Sequence, residues 1–161
     1  MAAKYLHYTY DQLNTFCMDA FQKFGFSESE ARIISDVLLL SDLYGIESHG
    51  MQRLVRYHKG IEKGMIDVHA KPEIVHETPV SAVIDAHDAM GQLVSHQAME
   101  LAIEKAKKTG MAIVSVRNSN HFGIAGYYAK MACDQGLVGM AMTNSEAIMV
   151  PTYARMAMPT S

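Results

Sequence analysis

The spacing of hydrophobic positions changes along the chain, and the changes mark its organisation. Leu13, Phe16, Cys17, Ala20, Phe21 and Phe24 recur at helical spacing behind Thr9-Tyr10-Asp11-Gln12, which has the form of a capping box. Gly25 ends this predicted helix. Ser27-Glu28-Ser29-Glu30 opens a second, with Ile33, Ile34, Val37, Leu38 and Leu40 as its apolar side, running to about Gly45. A third is expected to start near Ser48 or His49 and to carry Leu54, Tyr57 and Ile61, with Gly60 and Gly64 loosening its end. Residues 1–70 therefore read as a small helical unit.

Lys71-Pro72 changes the texture, because proline pushes the residue before it toward extended geometry. Residues 73–76 and 81–85 read as short strands around a Thr78-Pro79 turn. Residues 92–108 read as a long helix with Val94, Ala98, Leu101, Ala102 and Lys105 along one side, ended by Gly110. Residues 111–116 form a near-continuous apolar run of strand length, which predicts an interior strand. A helix over 126–135, ended by Gly136, and another interior-type strand over 137–142 follow. Strands alternating with helices predict an α/β layer over 71–161.

Composition narrows the class. A chain of 161 residues allows one domain, or a domain plus a fragment of another. The net charge of −3 offers no basic footprint for nucleic acid. No apolar run reaches the roughly 18 residues that a membrane span needs. The first residues lack an apolar signal core, so a cytoplasmic protein is expected. Cys17 and Cys133 fit no metal spacing and are expected to be buried free thiols. Thirteen methionines suggest adaptable packing and a large interface. No closing helix or capping element follows Pro151, so the ending looks cut short.

Two segments carry candidate chemistry. If Ser48 caps the third helix, its hydroxyl and the first free N–H groups make an anion-friendly site. His49, Arg53 and Tyr57 then fall at four-residue steps on one helix face. A guanidinium there could grip a carboxylate through two parallel bonds. The second segment, Arg117-Asn118-Ser119-Asn120-His121-Phe122-Gly123, leaves the carboxyl end of the strand over 111–116, where α/β proteins place ligands. His121 precedes a helix start, and a helix dipole would hold its imidazole near neutrality, usable as a base. Thr143-Asn144-Ser145 leaves the last strand in the same sense and could line the same crevice.

The bland readings are a capped surface helix, a loop histidine bonded to backbone, and a plain turn. Gly123-Ile124-Ala125-Gly126 lacks the dinucleotide fingerprint and reads as a helix start with room for close approach. The remaining histidines show no zinc spacing, so no metal site is expected, although long-range assembly into a metal hydrolase stays open as a rival. Lys105-Ala106-Lys107-Lys108 reads as a solvated helix end.

Taken in order, Ser48-His49-Gly50 with Arg53, then the Asn118-to-Gly123 run with Gly126-Tyr127-Tyr128, then Thr143-Asn144-Ser145 and Pro151, resemble the type 2 malate/L-lactate dehydrogenase family. That family includes ureidoglycolate, sulfolactate and diketogulonate reductase-type enzymes. The resemblance implies a non-Rossmann α/β fold and an oxidoreductase using NAD or NADP on a 2-hydroxy or 2-oxo acid such as malate or lactate. It also implies a homodimer with the active site near the subunit interface. By the same resemblance, His121 is the general acid/base, with His49 as competing candidate or as neighbour of substrate and nicotinamide. Arg53 is the carboxylate clamp. Ser48, Tyr57 and Ser145 contact substrate, and His49, His121, Gly123, Asn144 and Ser145 lie at the cofactor. Family chains run to roughly twice this length. The resemblance is therefore to an N-terminal half, apparently truncated, with much of the pyrophosphate and adenosine pocket missing. A catalytically incompetent fragment or partner-binding module is the alternative.

Overall fold

The computed structural model describes residues 6–144. Helix α1 (Tyr10–Lys23) and helix α2 (Glu28–Leu43) both begin in complete capping boxes. Thr9 pairs reciprocally with Gln12 and Ser27 with Glu30, so free N–H groups at each helix start are satisfied locally. Two 3₁₀ turns, Glu47–His49 and Met51–Arg53, lead into α3 (Leu54–Glu62). Strand β1 (Glu73–Glu77) pairs antiparallel with β2 (Ser81–Asp85). Helix α4 (Gly91–Thr109) crosses to β3 (Ile113–Arg117), which pairs parallel with β2. Helix α5 (Ala125–Cys133) follows. The sheet order is β1-β2-β3. The architecture is mixed α/β.

Among the described residues, two clusters form the core. Phe21, Phe26, Ile34, Leu38 and Tyr57 pack together with Ile66 and Met90, so the helical unit is closed by a residue from just before α4. Ile84, Ala86, Val94 and Ala98 form the second cluster, between the sheet and α4, with Val114 and Val116 against it.

Four sequence expectations change. The strand expected over 137–142 does not form, and Val138 is 93% exposed. The segment instead lies against α5: a Cβ on Gly139 would stand 2.1 Å from the carbonyl oxygen of Ala129. The run over 111–116 is not an interior strand. Alternation along β3 turns Val114 and Val116 toward α4 and leaves Ile113 65% exposed. Lys105 is no solvated helix end. It is buried and donates to Glu77 and to the Thr78 carbonyl, both at 2.7 Å, tying α4 to the end of β1. Cys17 is buried as expected, but Cys133 is exposed at the end of α5.

Candidate active site

The second segment is fixed first, because it grows out of the sheet. Asp85 ends β2 opposite Arg117 in the parallel register. Its nearly buried carboxylate accepts from Arg117 Nε at 2.9 Å and from the Asn118 amide at 3.0 Å. The Asn118 hydrogen bonds lead the causes that hold the Asp85 carboxyl below the usual carboxylate range. Asn118 itself adopts a left-handed backbone, φ 52°, which asparagine tolerates better than most residues. Asn120 then donates to the carbonyls of Met65, Asp88 and Ala89, pinning the loop to both halves of the chain. Gly91, at the start of α4, lies under the loop: a Cβ there would sit 2.3 Å from the Asn120 carbonyl oxygen and 2.4 Å from that of His121.

The first segment is held differently. Ser41 donates to the Ile46 carbonyl, and the Asp42 carboxylate accepts the Met51 N–H at 2.8 Å. Gly50 separates the two 3₁₀ turns and is buried against Asp42. Arg53 donates from Nε to the Ser48 carbonyl. The expected helix start at Ser48 is therefore replaced by two tight turns. Ser48 caps nothing; its hydroxyl lies 2.9 Å from His49 Nδ1. His49, Arg53 and Tyr57 do not share one regular helix face, since Gly50 takes extended torsions between them. Gly50 gives up helical torsions here because the turn must seat Met51 on Asp42.

The two segments nevertheless converge. The rings of His49 and His121 stack with centroids 5.3 Å apart and planes 30° apart. The Tyr57 hydroxyl lies 2.8 Å from His121 Nδ1, and the Gly123 N–H donates to the same nitrogen at 3.3 Å. Behind Tyr57, the wholly buried Gln92 donates from Nε2 to the phenol oxygen at 2.7 Å. Gln92 Oε1 is buried with no partner among the described residues.

Burial leads the causes that push the His121 imidazole down to about 4, followed by His49, Arg56 and Arg53. Desolvation therefore accounts for the neutrality that the sequence assigned to a helix dipole. His49 is lowered too, by burial first and then by Arg53 and Arg56. Burial also raises the Tyr57 phenol to about 12, against the opposing pull of Gln92 and the two arginines. The site is thus a pair of neutral imidazoles beside two guanidiniums. Among the described residues neither Arg53 nor Arg56 has a carboxylate partner.

Among the remaining expected residues, Gly123 sits at φ 84° with Val37 2.5 Å from where a Cβ would be. Its N–H reaches His121. Asn144 is exposed, and its carbonyl accepts from Thr143, its own neighbour. Ser145 lies outside the described residues. Among the described residues, no three His, Cys, Asp or Glu side chains are grouped to hold a metal. Sequence reading missed Arg56 and Gln92. Arg56 carried a signal, since it follows Arg53 by three residues and so neighbours it at the head of α3. Gln92 carried none, being a polar residue in the first turn of a helix.

Comparison with known proteins settles the family. The family described as malate/L-lactate dehydrogenase matches residues 8–160. The chain belongs to this family. A malate dehydrogenase of Pyrococcus abyssi is 49% identical over 148 residues, which are 92% of this chain and 41% of that protein. An L-sulfolactate dehydrogenase of Methanocaldococcus jannaschii is 45% identical over 134 residues, 83% of this chain and 39% of that one. The solved malate dehydrogenase of Pyrococcus horikoshii OT3 superposes with a TM-score of 0.81 at 47% identity, covering 82% of this chain and 38% of that one. The chain thus spans about two fifths of the length of these relatives.

Proposed function

We propose that the chain carries the substrate-binding and proton-handling part of a nicotinamide-dependent oxidoreductase acting on 2-hydroxy and 2-oxo acids such as malate or lactate. The observation that carries this reading is the stacked, neutral His49–His121 pair beside two guanidiniums without carboxylate partners among the described residues. That donor set suits a small organic anion with a carbonyl next to its carboxylate. Residues 1–70 and 71–161 are read as the two parts that meet here: His49, Arg53 and Tyr57 come from the first, Gln92 and His121 from the second.

Each residue then has a task. Arg53, with Arg56 beside it, holds the carboxylate and so fixes where the 2-carbon stands. His121 moves the proton at the oxygen on that carbon, a contribution typically worth about 10²–10⁴-fold. Ser48 and Ser145 are read as substrate contacts, whereas Tyr57, expected there too, is buried and faces His121 instead. NAD or NADP, when bound, would exchange a hydride with the 2-carbon. His49, His121, Gly123, Asn144 and Ser145 are the residues assigned to its nicotinamide end. Two uncharged rings fit that end. Among these assigned groups nothing is suited to a pyrophosphate, so that portion of the cofactor is assigned to no residue here. The reading also takes the enzyme to be a cytoplasmic homodimer, which sedimentation of the purified protein tests for its dimeric part.

In the active enzyme, His121→Ala should lower hydride transfer from NADH or NADPH to oxaloacetate or pyruvate by about 10²-fold or more while leaving cofactor affinity within a few-fold. Stopped-flow transfer at the parental rate would remove His121 from the role. Coverage of only 41% of the relative's length supports a second reading, that the chain works with a further polypeptide. Fluorescence titration separates the two: NADH bound only after that polypeptide is added favours the second.

A further inference from the structure

We infer that Gln92 is a positioning residue that fixes the order of protons along Gln92, Tyr57 and His121, so that His121 keeps its ring proton on Nε2. The inference rests on the reading of His121 as the proton carrier and takes it two residues deeper.

One backbone group sets the direction. The Gly123 N–H can only donate, so the His121 Nδ1 it faces at 3.3 Å must be the unprotonated nitrogen. The Tyr57 hydroxyl, 2.8 Å from that nitrogen, must then be the donor. Its oxygen is left with lone pairs only, and the group behind it must donate in turn. Gln92 meets that requirement by presenting its amide N–H₂ at 2.7 Å. The opposite amide orientation would put a carbonyl oxygen against the phenol, invite the Tyr57 proton toward it, and reverse the whole chain.

Two further observations fit a directional role better than plain packing. Gln92 is wholly buried, yet its Oε1 has no partner among the described residues, an arrangement that an apolar side chain of similar shape would avoid. Helix α4 also brings Gly91 against the carbonyl of His121, so the amide and the ring are held in one register by adjacent residues. The groups acting on the ring from other elements are His49, from the first 3₁₀ turn, and Arg53 and Arg56, at the head of α3. The two guanidiniums can only donate, and His49 lies stacked on the ring rather than hydrogen-bonded to its Nδ1.

The consequence is a balanced proton path for reduction of a 2-oxo acid. As the carbonyl oxygen becomes an alkoxide, it takes the proton of Nε2. Nδ1 takes the proton of the Tyr57 hydroxyl. The phenolate left behind faces the Gln92 N–H, and the two guanidiniums that already favour it remain in place. Afterwards the phenolate takes its proton back from Nδ1 and Nε2 takes one from water, which restores the starting tautomer. The ring never becomes an imidazolium; the charge passes to the Tyr57 phenolate, which burial also opposes and which the Gln92 N–H and the two guanidiniums partly offset.

The test uses the 161-residue chain with ¹⁵N-labelled histidine, read by long-range proton–nitrogen correlation, with no substrate or cofactor added. At neutral pH the parent should show His121 with Nε2 protonated and Nδ1 bare. Gln92→Glu puts an acceptor behind Tyr57. It should move the proton to Nδ1 and raise the ring's proton affinity by roughly tenfold or more. Gln92→Met removes the donor behind Tyr57 without adding a strong acceptor, and should shift only a minor share of the ring to Nδ1–H, less than Gln92→Glu does. A Gln92→Glu spectrum and titration like the parent's would overturn the inference. So would a parent ring protonated on Nδ1, a result that needs no variant to fold. Because the readout is free of turnover, an inactive enzyme with the expected spectra would reject the functional reading and leave this one standing.

Discussion

Asp42 and Asp85 each brace one of the two histidine turns, and they do so under opposite electrostatic conditions. Asp42 accepts the Met51 N–H and holds the turn that carries His49. Burial raises its carboxyl, and one backbone hydrogen bond only partly opposes that. Asp85 accepts from Arg117, Asn118 and the His87 N–H and holds the turn that leads to His121. There the hydrogen bonds win and the carboxyl is lowered. The same side chain is an unwelcome charge in one place and a well hydrogen-bonded one in the other. The number of donors decides between them. The turn that leads to His121 is hung from the brace with more hydrogen-bond donors.

The steric contrast runs the same way, and it gives the largest expected effect. Gly91→Ala drives a Cβ into the backbone carbonyls of Asn120 and His121, atoms fixed by the loop itself. We expect a loss of about 2–3 kcal/mol in urea unfolding, typical of overpacking against a rigid partner. Near-parental stability would mean that the loop is softer than its hydrogen bonds imply. Asp85→Asn should come next, lowering the melting temperature by several degrees, because an amide cannot accept from Arg117 and Asn118 with a charge. Its effect should shrink as pH falls. The depressed carboxyl lends stability that is present above the ordinary value of 3.8 and lost as pH falls through the lower folded value. A melting difference that is constant from neutral to acid pH would break the assignment.

Gly50→Ala is a softer collision. Its Cβ would meet Asp42 Oδ1 at 1.8 Å, but that oxygen ends a rotatable side chain and can swing away. The loss should be close to one hydrogen bond, about 0.5–1.5 kcal/mol, as the Met51 N–H loses its acceptor. The two-ring stack should suffer more than stability does. A drop as large as that for Gly91→Ala would erase the distinction between the two braces.

These contrasts also explain what the sequence could and could not tell. Both capping boxes, strand β2 over 81–85 and helix α4 were legible because each depends on residues a few positions apart. The pairing of His49 with His121 was legible only through the family resemblance. They stand 72 positions apart, and no local pattern spans that distance. The turn at Ser48 was misread because helical spacing of His49, Arg53 and Tyr57 is compatible with a helix but does not require one. Gly50 packed on Asp42 decides otherwise. The strand expected over 137–142 failed for a like reason: apolar residues licensed a strand, yet Gly139 admits close approach to Ala129 instead. Gln92 was invisible because its meaning lies in which end of an amide faces a phenol.

Asp42→Asn should have the smallest effect, and its sign is informative. The raised folded value means that the folded chain holds this proton to higher pH than the unfolded chain does. Stability therefore falls as pH rises from about the ordinary 3.8 through the raised value, and the cost of ionisation is fully present above it. An amide at this position carries no charge, and its carbonyl can still accept the Met51 N–H. At neutral pH the variant should stay within about 1 kcal/mol of the parent, on either side, because one hydrogen bond is kept and one poorly solvated charge is removed. Its stability profile should lack the fall that the parent shows across the acid range. Chemical unfolding at a series of pH values reads both features. A variant much weaker than the parent at neutral pH would show that the first brace needs its charge after all, and the two turns would then be held by the same means.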